Sequence, residues 1–384
     1  MLRQENITEK YKRTSFPSPG NTHMSQRVKH ITANGLPTLI GSLPAADHEQ
    51  ALDWILAVTP EIPLWPQLPA IPQERMLNQF IEGLPGIVES DWHPYFDITT
   101  DAFSAAQLSF YEDYLRVTEH PGELLASRFK TSPERAAGLY LLAQQAPKIG
   151  GQLSAVKGQV TGPFTLLTGI TDTDKKLGYY DPTFRDIVVK GLAMKAAWQV
   201  AFLKQSYDVP VLLFIDEPAL AGLGSSSFIS VSVDDISRDL AEVSEAIHTS
   251  GGLAGVHVCA NTDWNILLTS DIDIISFDAY SFFDKFITCK NLIHAFLERG
   301  SVIAWGIVPT AEPESVEQES CDTLVSRWEK QAASLSGGNW DIKALLQQTI
   351  ITPSCGTGSL SPQLAQKVLR LTKEVSAELR ARYS

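Results

Sequence analysis

The sequence predicts an α/β protein, a single (β/α)₈ barrel with an insertion after strand two. Eight short apolar runs alternate with stretches of helical period, the order that builds a parallel sheet with helices around it. Most of these runs are continuous Val/Ile/Leu rather than alternating, as strands buried on both faces read. A length of 384 residues suits one such barrel, which routinely fills much of a chain of this size as one unit.

The candidate strands are residues 36–43, 62–65, 153–161, 209–215, 253–259, 272–277, 302–307 and 349–352. Asp181-Pro182 opens a helix running to about Ser206, with a capping carboxylate and a proline in the first turn. Residues 233–250 form a second helix, ended by Gly251-Gly252. Ser361-Pro362 opens the last, in which Leu364, Val368, Leu371, Val375 and Leu379 trace one stripe. Strands two and three are about 85 residues apart. The proline-rich stretch 63–72 and the polar, aromatic stretch 92–114 mark an insertion there rather than a plain crossover. Residues 31–384 read as one barrel. Residues 1–30 read as an N-terminal extension expected to be disordered, and the polar run 1–23, ending just before Met24, is either that or an upstream start.

Composition excludes several classes of function. Forty-four per cent hydrophobic and 20% charged residues are ordinary for a globular chain, and a formal charge of −13 argues against nucleic acid or an anionic membrane surface as the main partner. No run of 18 apolar residues offers a membrane span, and no secretory signal is legible. Four cysteines without a CxxC pair suggest a reducing, cytoplasmic compartment.

The chemistry gathers at strand ends. In Gly255-Val-His257-Val-Cys259, residues two apart share a face, so His257 and Cys259 project together, toward the mouth of a barrel. A satisfied core histidine beside a small buried cysteine is an equal reading of that pair alone. Cys355 follows the last strand in a glycine-rich turn, and Asp278 ends the sixth strand. One imidazole, two thiolates and a carboxylate form a zinc set, softer than magnesium or calcium sites. Cys289 and Cys321 have no partner spacing and read as structural. Asp216-Glu217, closing strand four, point to opposite faces: one carboxylate is free to bind a substrate ammonium, or the pair caps the segment after Pro218. Ser42, at the end of strand one, offers a donor beside a glycine. Gly158 to Pro163 reads equally as a turn.

Taken in order, Leu39-Ile-Gly-Ser42 with Pro44, Gln73-Glu74-Arg75 leading to Phe80, Ile215-Asp-Glu-Pro-Ala-Leu220, His257-x-Cys259 and Ser354-Cys355-Gly356 resemble the C-terminal, catalytic barrel of cobalamin-independent methionine synthase, within the wider uroporphyrinogen decarboxylase-like superfamily. The resemblance spans roughly residues 36–380. It implies zinc-dependent methyl transfer to a thiol, that of homocysteine, forming methionine. His257, Cys259 and Cys355 then look like zinc ligands and the catalytic centre, and Asp278 stands where the family usually has a glutamate ligand. Ser42 resembles the residue that holds the substrate carboxylate; Glu74 and Asp216 resemble the pair that binds its ammonium.

The departures bear on the donor. Family members carry two barrels, whereas this sequence reads as one. Where they place a histidine after strand seven to protonate the folate leaving group, this chain has Gly306-Ile-Val-Pro-Thr-Ala. A methylated corrinoid such as methylcobalamin, free or on a corrinoid protein, is therefore the expected donor in place of methyltetrahydrofolate. The alternatives are methyl transfer to another thiol such as coenzyme M, which has no ammonium for Glu74 and Asp216, and a non-catalytic zinc-containing binding protein. Porphyrinogen decarboxylation would leave a thiolate zinc site without a task.

Overall fold

A computed structural model describes residues 31–384 apart from 91–92, 150–152, 225–227 and 229; the expected disorder of 1–30 lies outside the described residues. An antiparallel pair, β1 (Ile87–Val88) and β2 (Tyr95–Phe96), lies in the insertion. The main sheet is six parallel strands in sequential order: β3 (Val156–Thr161), β4 (Val211–Asp216), β5 (Leu253–Val258), β6 (Ile274–Phe277), β7 (Val302–Val308) and β8 (Thr349–Pro353). Every residue of these strands is buried, which is why they read as apolar runs.

The first two expected strands are a correction. Residues 36–43 and 62–65 form no ladder, only isolated parallel bridges: Pro37 to Ile351 of β8, Ser42 to Gln67, and Leu64 to Lys157 of β3. The physical reason is proline. Pro37 in the first segment, and Pro63 and Pro66 around the second, each remove a ladder donor. What pairing remains spans both free edges of the curled sheet, with Thr38 N–H donating to Ile351 O (3.0 Å) and Lys157 N–H to Pro63 O (2.8 Å).

The alternation along the strands sorts the two faces. Leu213, Ile215, Val256, Val258, Ile275, Phe277, Ile303 and Trp305 pack outward in the main core cluster with the helices. On the other face Leu212, Phe214, Leu253, Ile274, Val302, Ala304 and Ile350 join Ile31, Ala33, Leu36, Ile62 and Ala155 in a separate cluster that plugs the N-terminal end of the sheet. Further along, the same face turns polar: Thr161, Asp216, His257, Ser276 and Thr352, all buried. The site sits on that polar half.

Helices flank the sheet as the sequence leads one to expect. Pro182–Lys204 is capped by Asp181, whose carboxylate accepts from Thr183 and Phe184 N–H. Val233–Thr249 packs beside it, Arg185 of the first helix pairing with Asp235 and Asp239 of the second at 2.9 and 2.8 Å. The last helix, Pro362–Tyr383, buries Val368, Leu371, Val375 and Leu379. The insertion holds the β1–β2 pair and the helices Asp101–Glu119 and Ala137–Gln145. Among the described residues no helix is long and apolar enough to cross a membrane.

Candidate functional site

Beyond the C-terminal ends of the strands lies a cavity of about 340 Å³, walled by Ser42, Glu74, Asp216, His257, Cys259 and Cys355 among others. Six of the seven residues singled out from the sequence therefore meet in one place. The seventh, Asp278, is buried at the end of β6, outside the group of converging ligand atoms. Its carboxylate caps the Ala279–Phe286 helix, accepting from Ser281 N–H at 2.8 Å.

The ligand atoms of His257, Cys259 and Cys355 all lie within 4.8 Å of one another, the only His/Cys/Asp/Glu trio so close among the described residues. His257 comes from β5. Cys259 follows it on the same face, and Cys355 follows β8, so a 98-residue gap in sequence closes only when the sheet curls. Ser276 of β6 stands 3.0 Å from His257 Nδ1 and fixes the ring plane, while Nε2 is buried and finds no hydrogen-bond partner in the protein. A hydrogen bond from Cys355 pushes the Cys259 thiol down, and the same bond, with burial, pushes Cys355 up. The lowered direction at Cys259 favours its thiolate, the form that binds metal.

These features fit zinc. An imidazole nitrogen without a protein partner and two sulfurs would supply three donors of the kind zinc takes, gathered within 4.8 Å of one another. Ser276 supplies the outer hydrogen bond that ligating histidines require.

Asp216 and Glu217 have separate tasks. Asp216 ends β4 facing the cavity, with Oδ1 buried and unpartnered. Burial pushes its carboxyl up to about 6, with His257 and Lys157 pulling the other way. Glu217 faces away and is fully buried. It accepts from Phe164 N–H (2.9 Å), Thr165 N–H (2.8 Å) and Thr165 Oγ1–H (2.6 Å). It thus anchors the start of the Pro163–Gly169 helix, more than fifty residues upstream, and not the segment after Pro218. Gly162 makes this possible, since a Cβ there would lie 2.1 Å from the Glu217 carboxyl carbon. The stretch 158–163 is therefore more than a turn: it is strand β3 followed by a helix held by a carboxylate from the next strand.

Ser42 is locked to the turn after Cys355. Thr357 N–H donates to Ser42 O at 2.9 Å, and a Cβ on Gly356 would lie 2.0 Å from Ser42 Oγ, so a side chain there would turn the hydroxyl away. Glu74 is buried in the cavity wall. Leu68 N–H donates to its Oε2 and His48 Nε2 lies against its Oε1, both at 2.7 Å.

Several contributors escaped the sequence reading. Lys157 of β3 is fully buried, its ammonium donating to Ile40 O (2.5 Å) and lying 4.7 Å from the centre of the Phe214 ring. Burial pushes it down to about 8, opposed by Asp216. Gln159, two residues on, donates to Trp65 O at 3.1 Å while its own Oε1 is buried without a partner. A period-two polar pattern, Lys157, Gln159, Thr161, inside an otherwise apolar run was the available signal. His48 and Ser276 carried none. After β7, Thr310 Oγ1 meets Ser354 Oγ at 2.9 Å, and Glu312, the first carboxylate beyond, is exposed ahead of the Pro313–Gln318 helix. Cys289 and Cys321 are half-buried against the outer core, away from the cavity lining.

Compared with models of known protein families and with curated proteins, the chain gives no match.

Proposed function

We propose that this chain is a zinc-dependent thiol methyltransferase of the methionine synthase-like kind, forming methionine from homocysteine. In this reading residues 31–384 act as one (β/α)₈ barrel, the bridged segments 36–43 and 62–67 serving as its first two staves. The observation that carries it is the convergence of His257, Cys259 and Cys355 with the unpartnered Asp216 in a single small cavity. The zinc would be held by His257, Cys259 and Cys355, with Asp278 in reserve once its cap is released. When bound, the metal keeps an acceptor thiol deprotonated at neutral pH.

The remaining work falls to the protein. Asp216 Oδ1, buried with no donor of its own, and Glu74 receive the acceptor's ammonium. Ser42, pinned by the Thr357 contact, holds the acceptor's carboxylate. Three fixed points leave the sulfur one direction of approach, and such positioning supplies much of the rate in methyl transfer. At about 340 Å³ the cavity is at the small end of ligand pockets, sized for an amino-acid thiol, so the donor presents its methyl group from the mouth. A methylcorrinoid, free or on a partner protein, suits this arrangement. Thr310 and Ser354 are weak acids occupied with each other, and Glu312 is exposed, so among the described residues that follow β7 none is an acid positioned for a folate amine. A sulfonate acceptor such as coenzyme M would place no donor on Asp216.

The test is methyl transfer to homocysteine by the zinc-loaded protein, with methylcobalamin and with mono- and polyglutamyl methyltetrahydrofolate offered side by side. Turnover with the corrinoid is expected. Turnover with folate alone would overturn the donor and keep the acceptor; zinc X-ray absorption that gains no sulfur ligand on adding homocysteine would overturn the enzyme reading in favour of a closed zinc site.

A further inference from the structure

We propose that His48 is a positioning residue that sets specificity for an acceptor bearing an amino group, acting through Glu74. The inference rests on the reading of Glu74 and Asp216 as the ammonium site. His48 itself is absent from the cavity wall; Glu74 lines it. The two meet at 2.7 Å across 26 residues of chain, His48 from the start of the His48–Val58 helix and Glu74 from the end of the Pro72–Glu74 turn.

Both ends of this contact are fixed. Asp47 caps the helix by accepting from Gln50 N–H at 2.8 Å, which sets the first turn carrying His48. On the other side Leu68 N–H holds Glu74 Oε2. A carboxylate offers about four lone-pair sites. With one donor on each oxygen, the plane of the Glu74 carboxylate is determined and one site per oxygen is left for the cavity. With Leu68 alone, the group is free to pivot about a single hydrogen bond, and its second oxygen, with a side chain only 1% exposed, seeks another donor. His48 thus couples the loop after the first stave to the loop after the second, the two that form one wall of the acceptor site.

A residue that merely stabilised the wall would affect all thiols alike. A positioning role for the amino group affects only thiols that have one. Homocysteine and 4-mercaptobutyrate, the same chain without the amino group, separate the two. In zinc-loaded protein, binding of each is measured by calorimetry and kcat/KM with the methyl donor. Wild-type protein is expected to prefer homocysteine. His48→Ala should reduce that preference about tenfold through KM with kcat nearly kept, and His48→Gln, whose amide can donate to the same oxygen, should restore most of it. Unchanged preference in His48→Ala, or equal losses for both thiols, overturns the inference. Should His48→Ala fold poorly, His48→Leu, which fills the space without a donor, decides in wild-type and Glu74→Gln backgrounds: a loss of homocysteine preference in His48→Leu that persists at equal size without the Glu74 carboxylate also overturns it. Wild-type protein that shows no preference refutes the ammonium site itself, a result distinct from the failure of His48 alone.

Discussion

Replacing Ser276 by alanine tests the metal centre at a residue that touches no metal. Ser276 Oγ lies 3.0 Å from His257 Nδ1, and His257 is buried with Nε2 lacking any protein partner. If zinc is held through Nε2, Nδ1 carries the proton and Ser276 accepts it. Removing the hydroxyl leaves a buried N–H unpaired and the ring free to rotate out of line. Loss of such an outer hydrogen bond weakens metal affinity about 10- to 100-fold, or roughly 1.4–2.7 kcal/mol. Titration of the apo protein with zinc against a chromophoric chelator measures this directly. Denaturant unfolding in excess zinc provides a second measure, since the variant should lose the same increment of metal-linked stability. Metal-free stability should also fall, by about 1–3 kcal/mol, because Nδ1 is left buried and unpaired, so the metal-linked increment is read as the difference between unfolding with and without zinc. A zinc dissociation constant within twofold of wild type would show that Ser276 does not orient the ligand, and the assignment of Nε2 to the metal would fall with it.

Three further outcomes follow from the same geometry. Cys259→Ser and Cys355→Ser should each strip the zinc while leaving circular dichroism and the apo melting curve close to wild type, because the apolar plug of the sheet lies at the opposite end; metal analysis after gel filtration checks this. Asp216→Asn should weaken homocysteine roughly 10- to 100-fold, the cost of about 1–3 kcal/mol for a lost charged hydrogen bond, and leave a simple alkanethiol nearly unaffected; equilibrium binding of both thiols decides it. Lys157 governs a pH dependence. Its folded value of about 8 is below the ordinary 10.5, so between those limits the unfolded chain binds a proton that the folded chain lacks, and stability rises with pH across that window. Lys157→Met should remove its share of this rise, about 3 kcal/mol at full deprotonation, leaving that of Lys195, which burial also pushes down to about 8; the share is the difference between variant and wild type in urea unfolding at pH 7 and pH 10.

Much of this architecture was legible because parallel strands buried on both faces read as mainly apolar runs, as β4 to β8 do. The polar residues that break the pattern at their C-terminal ends, Asp216 and His257 above all, were legible for the same reason. Two things were not. A run such as 36–43 passes every hydropathy test for a strand, yet Pro37 and a chain bridged only at Pro37 and Ser42 keep it out of the ladder. Contacts between distant segments leave no local trace either. Glu217 looked like a cap for its own following turn, but the helix it caps begins at Pro163. His48 pairs with Glu74, and Ser276 with His257, across 26 and 19 residues. A serine inside a strand and a histidine at a helix start are each ordinary in isolation, so only the folded chain gives them a role.

The distribution of unsatisfied groups supplies an argument independent of any resemblance. Buried polar atoms almost always find partners, and one left without costs about 1–3 kcal/mol. In this protein His257 Nε2, Asp216 Oδ1, Gln159 Oε1 and Thr352 Oγ1 are buried without a protein partner, and all four belong to the polar half of one sheet face. Other buried atoms in the same state, Tyr114 Oη, Thr131 Oγ1 and Trp328 Nε1 among them, lie elsewhere in the fold. What sets these four apart is that they share the face that carries the cavity, where a ligand or water can supply the missing partner. Two of the four, His257 Nε2 and Asp216 Oδ1, belong to cavity-lining residues and ask for different things: a cation that accepts an imidazole lone pair, and a hydrogen-bond donor for a carboxylate. A metal ion together with an ammonium-bearing ligand answers both at once, and each should then stabilise the fold as it binds. Saturating zinc should therefore raise the unfolding midpoint, and homocysteine should raise it further in the zinc-loaded protein, whereas a protein whose site is only a structural metal centre would respond to zinc alone.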